Sequence, residues 1–183
     1  MRRTARIFCS LVCLAIALSA AEGQSTRGHT PKEPSSFAPD GEDSGLDNAQ
    51  PPSDAVLDAL LNTSEANEAK DDLAILSRDQ LRDLFKVVKV HLKDAVEADY
   101  VVLGSGPMSG ADCFWFWIVR ERHAKAKIIL FENPLELDFS TRRTNGYRDI
   151  RSSWCSAAFC HDRLFRYSAG RYKLVHQHAT ENR

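Results

Sequence analysis

Apolar residues recur at helical spacing in two segments before residue 95. The first stripe follows Ser53, which can cap a helix, and comprises Val56, Leu57, Leu60 and Leu61. The second follows residues 77–80, which have the form of a capping box, and comprises Leu81, Leu84, Phe85, Val88 and Leu92. The pattern therefore predicts a short helix after Ser53 and a longer amphipathic helix that ends near Asp94 or Ala95. Residues 62–72 fit either helix or loop.

From residue 99 onward the apolar residues form short β-branched and aromatic runs, bounded by turn residues or charged clusters. These runs cover residues 100–103, 114–119, 127–131, 147–154, 163–167 and 172–175. Parallel strands need crossovers of a dozen or more residues, and the connections after residue 131 are shorter. The sequence therefore predicts an α+β fold, with N-terminal helices packed on a mostly antiparallel β-meander of about five to seven strands.

The first 52 residues lack the pattern of a folded domain. Residues 1–23 resemble a secretory signal peptide, since three arginines precede an apolar run of 14 residues and then small residues. That run is shorter than the ~20 residues that cross a bilayer. Residues 24–52 hold five of the seven prolines, and they are predicted to be a disordered tether or, alternatively, an extended arm lying on the domain. A single domain then covers residues 53–178 and a tail covers 179–183.

The net charge of the chain and its expected export narrow the classes of possible partner. The full chain has a net charge of −1, and loss of residues 1–23 removes three positive charges and one negative charge, which leaves −3. Such a chain gives no support to nucleic-acid binding and has no polybasic membrane patch in its sequence. We expect an exported protein, periplasmic or secreted, with no membrane span after signal cleavage.

A glycine-rich loop offers the one candidate cofactor site. Gly104, Gly106 and Gly110 follow an apolar run, as in the phosphate-binding turn of dinucleotide enzymes. Glu132 ends a second run 22 residues later, near the spacing at which an acid meets a ribose hydroxyl. Against an FAD- or NAD-dependent oxidoreductase, residues 113–119 are too bulky for a closely packed crossover helix and are typical of a strand. We therefore predict a glycine turn between strands and no cofactor, with the oxidoreductase as the alternative.

The cysteines indicate a disulfide. Cys155 and Cys160 lie at a predicted turn of an exported chain, which favours a hairpin-closing bond. The alternative pairs Cys113 with one of the two across the sheet. A zinc site is a further alternative, and its candidate ligands are Cys155, Cys160, His161, His176 and His178.

The C-terminal half resembles a known family over about residues 80–175. The similar segments are residues 99–104, 108–113, 115–119, 144–150 and 164–173, of which Thr-Asn-Gly-Tyr-Arg-Asp-Ile at 144–150 is the most specific. The family consists of small exported bacterial proteins of uncharacterised function. The resemblance implies an exported α+β domain and supplies no catalytic residues. Some members have a second cysteine shortly before the one that matches Cys113, and Ser109 stands there in this chain.

The aromatic and arginine content suggests binding. These residue types alternate in the predicted strands and dominate binding hot spots, so they could share one exposed face. The candidate interaction residues are Tyr147, Arg148, Asp149, Trp154 and Arg166. No paired-carboxylate or nucleophile signature stands out, so the sequence predicts a non-enzymatic binding module with a partner in the envelope or outside it.

Overall fold

The computed structural model describes residues 33–41, 43–110 and 113–181, and this part of the chain is mostly antiparallel β-structure with a few short helices. The predicted signal peptide lies outside the described residues. The α-helices are α1 Asp54–Leu61, α2 Ser64–Glu68, α3 Lys70–Leu73 and α4 Arg78–Asp83. The strands are β1 Ser36–Phe37, β2 Phe85–Val90, β3 Asp99–Gly104, β4 Phe116–Arg122, β5 Lys125–Glu132, β6 Glu136–Thr144, β7 Tyr147–Cys155, β8 Phe159–Ser168 and β9 Arg171–Glu181.

The strands form two sheets rather than the single meander that the sequence predicts. Sheet A has the order β1-β6-β7-β8-β9, and sheet B has the order β2-β3-β4-β5. Every strand pairing in the described residues is antiparallel, as predicted. Strand β6 is an addition to the predicted runs, because Glu136–Thr144 alternates polar with apolar residues and contains only two buried hydrophobic side chains.

Sheet B is the middle of three layers and is buried on both faces. Phe116 and Ile118 point into the core shared with sheet A, whereas Trp117 and Val119 point into a second core under the helices. This alternation explains why residues 116–119 are continuously apolar, as expected of a strand covered on both faces. The prediction that residues 114–119 form a strand is confirmed from Phe116 onward, where β4 begins.

Helix α1 forms as its sequence predicts. The Ser53 side chain accepts a hydrogen bond from the Val56 N–H at 3.2 Å, which satisfies one of the free donors of the first turn. Val56, Leu57 and Leu60 lie on the side that packs on sheet B, and all three are buried. Helices α2 and α3 occupy the stretch that fitted either helix or loop.

The long amphipathic helix predicted after residue 77 is wrong beyond its first turns. The capping box forms between Ser77 and Gln80, but helix α4 stops at Asp83 and strand β2 starts at Phe85. As a strand, Phe85 and Val87 reach the core under the helices, while Val88 and Val90 reach the core between the sheets. Pairing with β3 and burial on two sides outweigh the helical spacing, because β-branched residues fit a buried pleated surface well.

Much of the predicted disordered tether packs on the domain, as the alternative arm would. We call residues 33–50, apart from 42, the N-terminal strap. Phe37 is fully buried and contacts the Phe139 ring with centroids 5.5 Å apart, and β1 pairs with β6. At its other end Gln50 forms a β-bridge to Val87, so the strap joins sheet A to sheet B. One buried aromatic side chain and backbone pairing hold a segment whose composition alone predicts disorder.

The C-terminal end is also more ordered than predicted. Strand β9 runs to Glu181 and pairs with β8 along its whole length, so residues 179–181 of the predicted tail belong to the sheet. Helix α1 is the longest of the described helices, and none of them has the length and apolar content to cross a membrane.

Candidate functional site

One end of sheet A extends past the core and forms a cleft. Ile150 and Phe165 are opposite each other on β7 and β8, and both point into the core between the sheets. The next pairs on the same face are Ser152 with Arg163 and then Trp154 with His161. These side chains therefore face the same way as the core residues, and they lie where sheet B ends at Glu132. We call this site the Trp154 cleft.

The Trp154 cleft has a volume of about 230 Å³ and combines aromatic with polar groups. Strand β5 ends at the cleft with Glu132, and the connection to β6 forms one wall. The lining residues are Glu132, Asn133, Pro134, Ser152, Trp154, His161, Arg163 and Gln177. Pockets for whole drug-sized ligands are larger, on the order of 300–1,000 Å³. The cleft therefore suits one ring-sized group or the end of a longer ligand.

An ion pair and an aromatic stack define the interior of the Trp154 cleft. Glu132 is only 6% exposed, and its carboxylate accepts a hydrogen bond from Arg163 Nη1 at 2.8 Å. The same oxygen accepts one from the Asn133 N–H at 3.3 Å. The Trp154 ring lies against the His161 ring, with centroids 5.6 Å apart and planes 32° from parallel. Because Arg163 compensates Glu132, a ligand meets a partly exposed indole beside polar groups of balanced charge.

A disulfide-distance cysteine pair lies beside the Trp154 cleft. Cys155 and Cys160 face each other at the ends of β7 and β8 with sulfur atoms 2.16 Å apart, in the pairing that the sequence predicts. The connecting turn is held by the Ser156 N–H, which donates to the Phe159 carbonyl at 2.8 Å. Cys113 is a free thiol, so the alternative pairing is not seen. Among the described residues, no three His, Cys, Asp or Glu side chains come together as a metal site would require.

The predicted interaction residues do not share one exposed face. Tyr147 is buried and stacks on Tyr167 with ring centroids 3.8 Å apart. The Arg148 side chain lies over the Phe139 ring and donates hydrogen bonds to the carbonyls of Phe139 and Ser140. Both side chains therefore belong to the packing of sheet A.

The other three predicted residues lie in two places. Asp149 is fully buried on the face of sheet A away from the core, where its carboxylate lies 3.4 Å from Arg166 Nε. Trp154 lines the cleft described above. Strand alternation could have separated Asp149 from Ile150, but it does not show which face is covered. From the sequence, Glu132 is a candidate only for nucleotide binding and His161 only for zinc binding. Both reach Trp154 through the register of two different sheets.

The glycine loop differs from a dinucleotide-binding turn. A 3-10 helix, Gly106–Met108, follows β3, and the next element is the antiparallel strand β4 rather than an α-helix. Gly104 permits a close approach, because an added Cβ would lie 1.9 Å from the Met108 carbonyl oxygen. Gly106 takes a positive φ of 57°. Gly104, Gly106 and Gly110 line a cavity of about 460 Å³, but Glu132 turns away from it toward Arg163.

A buried polar network between the sheets is missing from the sequence predictions. Arg120 Nε donates to the fully buried Asp99 carboxylate at 2.9 Å, and Nη1 donates to the Tyr167 hydroxyl. The guanidinium also lies 4.8 Å from the centre of the Tyr147 ring. Burial alone would lower the pKa of Arg120, but the hydrogen bond and charge of Asp99 outweigh burial and raise it. These groups compensate one another within the core, so we assign them a structural role.

Comparison of the chain with protein-family models, curated proteins and solved structures finds no match. The resemblance to small exported bacterial proteins therefore stays a prediction, and the case for function depends on the geometry of the clefts and surfaces.

Proposed function

We propose that this protein is an exported, non-enzymatic binding domain whose ligand occupies the Trp154 cleft. The observation that carries the proposal is the partly exposed Trp154 ring, which packs against His161 beside Arg163 and the buried Glu132. An indole that is neither covered by a core nor fully solvated provides a large apolar contact area at little entropic cost. Such anchors are typical of binding sites.

The chemistry of the cleft favours an uncharged ligand with hydroxyl or amide groups, such as a sugar unit. Glu132 and Arg163 neutralise each other, so a strongly charged ligand would break their hydrogen bond and leave one buried charge without compensation. The same two groups can still accept from and donate to a neutral ligand. Ser152, Asn133 and Gln177 add polar groups around the ring face of Trp154.

Export is the second part of the proposal. It rests on the signal-like sequence of residues 1–23 and on the Cys155–Cys160 pair, since disulfides persist in oxidising compartments. The ligand is therefore expected in the cell envelope or outside the cell. The dinucleotide alternative is not proposed, because the glycine loop leads into an antiparallel strand.

Tryptophan fluorescence tests ligand binding directly. We expect titration with neutral oligosaccharides of glucose or N-acetylglucosamine to change the emission, because Trp154 lines the cleft, whereas Trp117 is buried and Trp115 packs against Trp117. Trp154→Ala should weaken binding at least about tenfold, as expected when a central aromatic anchor is removed. Because this variant lacks the fluorescent reporter, its affinity and that of the wild type are measured by isothermal titration calorimetry. Glu132→Gln should weaken binding less, since it removes the charge but keeps the shape.

Phe159→Ala is the matched control, because Phe159 is an exposed aromatic residue on β8 that does not line the cleft. It should leave the affinity unchanged. Binding that survives Trp154→Ala in a folded variant, or no binding of any neutral oligosaccharide, would contradict the proposal. Hydrolysis of the oligosaccharide during incubation would contradict its non-enzymatic part.

A further inference from the structure

Strands β5 and β9 are open edges of the two sheets and run side by side. Sheet B ends at β5 and sheet A ends at β9, so each has one strand neighbour among the described residues. Near the start of both strands, Lys127 Nζ lies 3.6 Å from the position that a Cβ at Gly170 would take. Near their other end the Glu132 carboxylate binds Arg163, which is opposite Gln177 of β9. The two edges therefore follow each other in the same direction.

An open groove of about 450 Å³ lies between these two edges, and we call it the edge groove. Residues 128–131 of β5 and residues 171–174 of β9 line it. Leu174 is opposite Phe165, which is buried in the core between the sheets, yet Leu174 itself is 49% exposed. It therefore faces the same way as a core residue but remains accessible to a ligand in the edge groove.

The edge groove leads to the Trp154 cleft. On β5, Phe131 lines the groove and the next residue, Glu132, lines the cleft. On β9, Leu174 lines the groove and Gln177 lines the cleft. These two residues occupy successive positions on one face of β9, since they are opposite residues of β8 that are two apart. A ligand chain that starts in the cleft therefore has a path along the two edges.

Each of the two edges is interrupted by a β-bulge. The extra residue is Ile129 on β5 and Val175 on β9. A bulge breaks the regular spacing of backbone groups that an added strand needs, and it is one of the devices that prevent pairing at sheet edges. A peptide strand or a second copy of this chain is therefore a poor occupant of the edge groove. A ligand that forms separate hydrogen bonds and apolar contacts does not need a regular ladder.

We propose that the edge groove binds further units of the neutral oligosaccharide whose terminal ring occupies the Trp154 cleft, an inference that rests on the proposed function. A sugar ring has an apolar face and a rim of hydroxyl groups. Leu174 offers apolar surface to the ring, and the open edges of β5 and β9 offer backbone N–H and C=O groups to the hydroxyls.

The volumes of the two sites set the length of the ligand. The edge groove has about twice the volume of the Trp154 cleft, so it suits two units where the cleft suits one. The ligand is then a chain of about three units or more rather than a single sugar.

Isothermal titration calorimetry on the full chain tests this extension. The probes are linear oligomers of glucose and of N-acetylglucosamine, from one to five units. We expect the affinity to rise at least about tenfold from the first to the third unit and then to level off, because the groove is filled. Leu174→Asp should remove most of this rise. It should leave the affinity for the single sugar unchanged, since Leu174 does not line the cleft.

Val175→Asp is the matched control. Val175 is the next residue of β9, is also 49% exposed and lines neither the edge groove nor the cleft. This variant introduces the same charge and should keep the full dependence on chain length. Circular dichroism shows whether both variants fold, and the dependence on chain length in the wild type is a test that needs neither of them.

The outcomes separate this inference from the proposed function. An affinity that does not depend on chain length, while Trp154→Ala still weakens binding, would overturn the extension and leave the proposed function in place. Equal effects of Leu174→Asp and Val175→Asp on the longer oligomers would also overturn it. Binding of no oligomer of any length would overturn both.

Discussion

Neighbouring atoms leave no space for a side chain at Gly104. There a methyl group would lie 1.9 Å from the Met108 carbonyl oxygen and 2.9 Å from the Trp117 ring. We expect Gly104→Ala to lower the free energy of unfolding by about 3 kcal/mol, the upper end of the usual overpacking range. Urea denaturation followed by circular dichroism measures this loss.

Gly106→Ala is the comparison for Gly104→Ala. Gly106 has a positive φ, but its Cβ position is open, with the nearest atom, from Leu84, 3.6 Å away. It should cost about 1–2 kcal/mol, as expected for a left-handed conformation without a clash. If Gly104→Ala were the milder of the two changes, the close approach of Met108 would not be what requires glycine.

Asp138 gives a stability effect with a definite dependence on pH. Burial, together with the charge of Glu136, raises the pKa of Asp138 above the ordinary value of an aspartate. A carboxyl group whose pKa is raised by folding destabilises the folded state when it is ionised. This destabilisation is present at neutral pH and is relieved as the pH falls through the folded pKa toward 3.8.

We therefore expect Asp138→Asn to raise the melting temperature at pH 7. The difference from the wild type should shrink as the pH is lowered toward the unfolded-state pKa, because both side chains are then neutral. Melting curves of the two proteins between neutral and acidic pH provide the measurement. A difference that grows on acidification would mean that hydrogen bonds to the ionised carboxylate, rather than its burial, control this site.

At the scale of elements, the disulfide of the β7–β8 hairpin determines how many thiols of the chain react. A chain without residues 1–23 should have one reactive thiol, Cys113, under denaturing and non-reducing conditions. Replacing both Cys155 and Cys160 by serine should lower the free energy of unfolding by about 2 kcal/mol, the entropic value for so short a loop. Three reactive thiols in the unmodified chain would show that the hairpin is not crosslinked.

Helix starts and most strands could be predicted from local signals. Ser53 and the capping box of Ser77 and Gln80 act within one turn, and the Asn145–Gly146 turn joins β6 to β7. Strand β2 could not be predicted this way. Its apolar residues fit helical spacing as well as strand alternation, and only burial on two sides decides between them.

The Trp154 cleft shows the same limit for a site. Trp154 is an evident candidate, but its neighbour Glu132 ends a strand of the other sheet and is held there by Arg163. No spacing along the chain encodes that approach. It requires the register of β7 and β8 and the stacking of two sheets, which depend on the whole core.

At the scale of the whole molecule, the three layers leave the two sheets covered to different extents. Sheet B is enclosed on both sides, so most of its apolar side chains contribute stability, and Glu132 at the end of β5 is its contribution to the proposed ligand cleft. Sheet A has one face in the core and one free, and its far end extends beyond the core. The proposed ligand cleft lies mainly on sheet A, at the end that extends beyond the core.

The contacts of the N-terminal strap also bear on the order in which the molecule folds. The Ser36 hydroxyl donates to the Glu136 carboxylate across 100 residues of sequence, and the far end of the strap reaches sheet B at Val87. Contacts of such long range form late, because the intervening chain must first be ordered. During synthesis the strap is the first of the described segments to be made, yet Phe37 has no pocket until β6 exists. The strap, although made first, can therefore add its link between the two sheets only after β6 has been made.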